Sequence, residues 1–161
     1  MKPLIKICGI AEKDNLIQLT KIEKIDFLGF IFYEHSLRNA TIDFVNSISH
    51  VDFKNKRPVC VYVNADKEFI EETSSYFVNP ILQFHGDETN TFCQSFKKDF
   101  WKVIRVKDAD SIKLVTDYPD ASGILFENYE TGIYGGTGNS FDWDLMNNIK
   151  DLDIKIILSG G

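Results

Sequence analysis

Short apolar runs alternate along the chain with stretches in which apolar residues recur every three or four positions. The first kind predicts buried strands, the second amphipathic helices. Residues 4–8 read as a strand, and 14–22 as a helix with Leu16, Ile17 and Leu19 on one side. Residues 25–33 are apolar nearly throughout, which suits a strand buried on both faces. Thr41 is placed to cap a helix whose inward face is Phe44, Val45 and Ile48. A third strand is expected at 58–63. Asp66 then caps a helix carrying Phe69, Ile70, Thr73 and Phe77 at helical spacing. The fourth strand is 81–84, and Phe92, Phe96 and Phe100 mark the helix after it. Strands follow at 101–106 and 121–126, with a short helix at 110–116 between them. A helix at 142–149 and a strand at 154–158 complete the pattern.

Strand and helix thus alternate seven times, at about 25 residues per unit, which predicts an α/β fold with a parallel sheet covered by helices. A doubly wound sheet and a (β/α)8 barrel both fit. The first would carry a glycine fingerprint after the opening strand, and Cys8-Gly9-Ile10 does not supply one. A barrel usually takes eight strands and about 200–250 residues. The 161 residues here supply seven strands and stop in the loop Ser159-Gly160-Gly161. The expectation is one barrel domain over residues 1–161, incomplete at its C-terminus, in a natural protein that continues past Gly161.

Composition narrows the function. With 18 Lys and Arg against 24 Asp and Glu, the formal charge is −6. Nucleic acid and anionic membrane are therefore poor partners. The longest apolar run is far shorter than the roughly 20 residues of a bilayer span. Lys6 interrupts any signal-peptide core. Three cysteines (Cys8, Cys60, Cys93) form an odd set without metal spacing, which points to a reducing cytoplasm.

In a parallel barrel, chemistry collects at the C-terminal ends of the strands. Cys8 stands at the first such end, where a thiolate can abstract a proton. Cys60 and Cys93 fall inside a strand and a helix and read as small buried hydrophobes. Arg38, after the second strand, has a fork suited to a carboxylate or a phosphate. His85 leads Gly86-Asp87-Glu88 after the fourth strand, without a second nearby histidine to make a metal site. Glu127, after the sixth, is placed for general acid work. Gly135 and Gly136, and Gly160 and Gly161, can offer backbone N–H groups to an anion or merely turn the chain.

Taken together, these segments resemble the phosphoribosylanthranilate isomerase family. Lys6-Ile7-Cys8-Gly9-Ile10 resembles its opening signature. Gly29-Phe30-Ile31-Phe32-Tyr33, with Ser36 and Arg38, is similar to its second-strand motif. Val61-Tyr62-Val63-Asn64-Ala65 and Gln83-Phe84-His85-Gly86-Asp87-Glu88 resemble its third and fourth. Tyr134-Gly135-Gly136-Thr137-Gly138, running into Phe141-Asp142-Trp143, resembles the loop after its sixth strand, and Ile157-Leu158-Ser159-Gly160-Gly161 its seventh. The six motifs occur in register along the whole chain.

The resemblance implies a (β/α)8 barrel of tryptophan biosynthesis. Such an enzyme converts N-(5'-phosphoribosyl)anthranilate to 1-(2-carboxyphenylamino)-1-deoxyribulose 5-phosphate by an Amadori rearrangement, with neither metal nor cofactor. It implies Cys8 as general base and Arg38 as the anthranilate ligand. Substrate contacts are further expected at His85, Gly135 and Gly136, and half of the phosphate site at Gly160 and Gly161. The family's acid is usually an aspartate. Here Glu127 stands in its place, one methylene longer. The expected partner is a small phosphorylated substrate, and the expected assembly a monomer or homodimer. Two other readings are a pentose-phosphate epimerase or similar phosphate-binding barrel enzyme, and a non-catalytic ligand-binding descendant. The epimerase would want His and Asp metal ligands at several strand ends, which this chain lacks.

Overall fold

The computed structural model describes residues 3–128 and 155–158. The chain forms two compact units, Met1–Leu82 and Gln83–Gly161. The expected helix at 142–149, and the candidates Gly135, Gly136, Gly160 and Gly161, lie outside the described residues.

The first unit contains β1 (Lys6–Cys8), α1 (Lys13–Thr20), β2 (Phe27–Phe32), α2 (Ile42–Ser47), β3 (Arg57–Tyr62) and α3 (Lys67–Ser75). Its strands stand in the order β1-β2-β3, and both pairings are parallel, with Cys8 beside Gly29 and Gly29 beside Val59. Side chains alternate between the faces of a strand. The even positions Phe30 and Phe32 of β2 enter an aromatic cluster. The Phe30 ring lies 4.8 Å from Phe77 and 5.9 Å from Phe53, and Phe32 stacks on Tyr62 at 5.5 Å. Both expected caps are present. Thr41 accepts from the Phe44 N–H at 3.2 Å, and Asp66 from the Phe69 N–H at 2.8 Å. In α1 the buried residues are Leu16 and Thr20, with Ile17 and Leu19 only half-buried.

The strand β4 (Ile81–Phe84) runs across the boundary between the units. The second unit continues with α4 (Asn90–Gln94), β5 (Phe100–Val106), α5 (Ala109–Lys113), a 3-10 turn over Leu114–Asp117, β6 (Gly123–Asn128) and β7 (Ile156–Leu158). Its strands also follow chain order, and β5 pairs parallel with β6 and β6 with β7. Phe84 gathers Phe92, Phe96 and Phe100 at centroid distances of 5.7–6.1 Å. Phe100 belongs to β5 rather than to the preceding helix. The strand β6 runs two residues beyond the expected 121–126, so Glu127 is a strand residue and not a loop residue. Its polarity hid the continuation, because it faces a polar partner inside the fold.

Candidate active site

In the first unit the site is built largely by what glycine leaves out. Cys8 ends β1, half-buried. The chain leaves the strand through Gly9 at φ +84°, a conformation that side chains other than glycine's rarely adopt. The N–H groups of Gly9 and Ile10 both donate to the Gly29 carbonyl at 3.0 Å. Arg38 lies over this turn. Its Nη1 donates to the Cys8 carbonyl at 3.1 Å, and a Cβ on Gly9 would fall 2.7 Å from its Cδ. The other glycine, Gly29, sits beside Cys8 in the ladder. A Cβ there would lie 2.8 Å from Cys8 Sγ and 3.0 Å from Lys6 Cε. Gly29 is thus the space into which the thiol fits.

The loop after β2 is tied down so that Arg38 can reach back. The Ala40 N–H donates to the Ile31 carbonyl at 2.7 Å, and Asn39 Oδ1 accepts from the Tyr33 N–H at 3.0 Å. Ser36 Oγ accepts from the Arg38 N–H at 3.2 Å. The Arg38 guanidinium keeps its remaining donors at an exposed position, able to take a planar anion.

The second unit organises its polar groups by pairing them. His85, just past β4, places Nε2 2.6 Å from Glu127 Oε2 on β6. Both residues are buried, with side chains 10% and 4% exposed. Glu127 shares a face with Arg105, its register partner on β5. Arg105 Nη2 donates to Asp87 Oδ1 at 2.8 Å at the rim.

On the opposite face of β5, Lys102 is 2% exposed, between the apolar Trp101 and Val103. Its Nζ donates to Glu88 Oε2 at 3.0 Å and to the Gly86 carbonyl at 2.6 Å, and it stands 5.4 Å from the centroid of Tyr118. Glu88 in turn accepts from the Gly86 N–H at 3.0 Å. This pair clamps the turn after β4 and so fixes where His85 begins. Burial pushes the Tyr118 hydroxyl up to about 12, with the carboxylates around it adding to the shift. A cleft of about 400 Å3 opens nearby, lined by Gly86, Asp87, Lys102, Arg105 and Tyr118 among others. Neither His85 nor Glu127 lines it, so it lies beside that pair rather than on it.

The structure therefore brings Cys8 together with Arg38, and His85 together with Glu127. Gln83 and Glu88 stand in the fourth-strand motif without a role of their own, and Lys102 belongs to none of the motifs. Lys102 is detectable as a charge between the apolar residues Trp101 and Val103; the partners of Gln83 and Glu88 have no local signature. Among the described residues no group of three His, Cys, Asp or Glu is placed to hold a metal ion. No helix among them is long and apolar enough to cross a membrane.

Residues 5–161 match the family model described as N-(5'-phosphoribosyl)anthranilate (PRA) isomerase. The N-(5'-phosphoribosyl)anthranilate isomerase of Nitrosomonas europaea is 38% identical over 162 residues, covering 100% of this chain and 75% of the relative. The crystal structure of phosphoribosyl anthranilate isomerase from Thermotoga maritima superposes with a TM-score of 0.83 at 29% identity, covering 99% of this chain and 78% of that one. Another superposes at 0.80 and 27% identity, over 99% of this chain and 76% of its own. It is phosphoribosyl anthranilate isomerase in complex with reduced 1-(o-carboxyphenylamino)-1-deoxyribulose 5-phosphate. The fold is thus the α/β class expected, with seven strands of the (β/α)8 barrel. The chain belongs to the N-(5'-phosphoribosyl)anthranilate isomerase family.

Proposed function

We propose that the protein isomerises N-(5'-phosphoribosyl)anthranilate to 1-(2-carboxyphenylamino)-1-deoxyribulose 5-phosphate in tryptophan biosynthesis, acting in the cytoplasm as a monomer or a homodimer. The observation that carries this reading is the family match over residues 5–161, which includes both proposed acid/base residues.

The chemistry assigns a role to each. Glu127, as the carboxylic acid, gives its proton to the ribose ring oxygen. The C1'–O bond breaks, its electron pair goes to that oxygen, and the nitrogen lone pair forms the C=N bond of an iminium ion. The Cys8 thiolate then removes the C2' proton. The C–H electrons form the C1'=C2' bond and neutralise the nitrogen, and the enolamine ketonises. Each proton transfer of this kind contributes about 10²–10⁴-fold. Arg38 holds the anthranilate carboxylate. Gly160 and Gly161, with Gly135 and Gly136, are assigned to the substrate from the motifs alone. The substrate is anionic and the chain carries −6. Attraction is therefore local, from Arg38 and backbone N–H groups.

The test is loss of anthranilate-type fluorescence when the protein meets N-(5'-phosphoribosyl)anthranilate. Turnover is expected, with Cys8→Ala folded but slowed by about 10²-fold or more. Arg38→Ala should raise KM more than it lowers kcat. A folded protein without turnover, or a Cys8→Ala protein with normal kcat, would sink the assignment.

A further inference from the structure

The hydrogen-bond chain of the second unit does not end at His85. Gln83 precedes it by two residues on the same side of the chain, and its side-chain Nε2 lies 3.4 Å from His85 Nδ1. Gln83 is 2% exposed, so water does not compete for this contact. An amide nitrogen only donates. Facing it, Nδ1 acts as an acceptor without a proton, which puts the imidazole proton on Nε2, 2.6 Å from Glu127 Oε2. The direction of one hydrogen bond fixes the direction of the next. It also divides the work of the two carboxyl oxygens. Oε2 accepts from the ring, and Oε1 is left to carry an acidic proton. In the other tautomer Nε2 is bare and takes the Glu127 proton as acceptor, aiming it at the ring rather than at a substrate.

We infer that Gln83 is a positioning residue for the isomerisation: its amide holds His85 as the Nε2–H tautomer, so that the reactive proton of Glu127 stays on the oxygen turned away from the ring. The inference rests on Glu127 being the general acid. The other ionisable groups at this place are Arg105, beside Glu127 in register, and Asp87, paired to Arg105 at 2.8 Å. They are common to every variant below.

The experiment is nitrogen-15 NMR of histidine-labelled protein, which has three imidazoles, His35, His50 and His85. His85→Asn identifies the signals of His85. A bare Nδ1 and a protonated Nε2 are expected. Gln83→Glu places an acceptor at Nδ1 and should move a proton onto it. Gln83→Leu should leave a mixture of tautomers. Both should lower kcat by about tenfold or more with KM little changed, because a wrong tautomer acts on the proton-transfer step. Both should also displace the alkaline limb of the kcat–pH profile, on which a general acid loses its proton, and leave the acidic limb, which belongs to the base, in place. A protonated Nδ1 in the unaltered protein overturns the proposal without recourse to any variant. So does a Gln83→Leu protein with unchanged tautomer and profile. A fully active Glu127→Gln enzyme would remove the acid assignment itself. An inactive one alongside a protonated Nδ1 would remove only the role of Gln83.

Discussion

The two units hold their functional groups by opposite means. In the first, Cys8 and Arg38 are placed by absent atoms: Gly9 leaves room for the arginine stem, and Gly29 leaves room for the thiol. In the second, His85 and Glu127 are placed by present charges, with Lys102 and Glu88 fixing the turn that carries His85. The first arrangement fails when atoms are added. The second fails when a polar atom is removed, because its partner is left buried and unpaired. The same kind of substitution therefore has different consequences in the two units.

The largest effect is expected at Glu127, the proposed acid. Glu127→Gln keeps the shape and an acceptor for His85 but has no proton to give, so kcat should fall by about 10²–10⁴ while substrate binding persists. Glu127→Asp sharpens the point. The shorter side chain withdraws from His85, and rapid kinetics should show a lower rate than for Glu127. A rise in rate would mean that the aspartate geometry of the family is still built into this chain.

Next comes the buried ion pair. Lys102→Met leaves the Glu88 carboxylate buried without its cation and should cost about 3–5 kcal/mol in denaturant unfolding. Adding Glu88→Gln should recover part of that. A double variant no better than the single would show that the pair does not act as a unit.

In the first unit Gly29→Ala is the matching test. Its Cβ meets Cys8 Sγ at 2.8 Å and should cost about 1–3 kcal/mol through overpacking. The alkylation rate of Cys8 should change as well, since Cys60 and Cys93 are fully buried. An unchanged alkylation rate and kcat would remove Gly29 from the account of the thiol.

A further effect is at alkaline pH. Burial pushes the Cys93 thiol up from 9.0 to about 12, with Glu88 raising it further and Lys102 opposing. Below pH 9 the thiol is protonated whether the chain is folded or not, and stability is unaffected. As pH rises from 9 towards 12, only the unfolded chain ionises, so the folded state loses stability. Cys93→Ala should flatten that decline in a urea series. In the first unit burial likewise raises the Tyr62 hydroxyl. A slope unaltered by Cys93→Ala would assign the decline to the tyrosines.

How much of this was written locally in the chain follows from the distances involved. The strand–helix order and the caps at Thr41 and Asp66 are local facts, and they were legible. Cys8 and Arg38 were singled out by motif, but their contact spans 30 residues and has no local signature. The contact of His85 with Glu127 spans 42. His85 is expected to touch substrate, and its position against Glu127 follows only from the strand order, which sets β4 and β6 on either side of β5. Glu127 itself was read as lying past its strand, because a polar residue ordinarily marks a strand end. Gln83 opens the fourth-strand motif, but nothing local to the sequence shows that its side chain faces Nδ1 of His85.

The parallel ladders have a kinetic consequence. Paired residues such as Lys6 and Phe27, Phe27 and Arg57, or Trp101 and Gly123 are separated by about 20–30 residues, so each ladder closes a loop of modest entropy. Each new strand can dock on its predecessor as soon as one helix has formed between them. Nucleation does not require distant parts of the chain to meet first, and the expected folding rate is that of mixed α/β domains rather than of all-β sandwiches. A ribosome delivering the chain from its N-terminus would release β1, β2 and β3 in the order in which they pair.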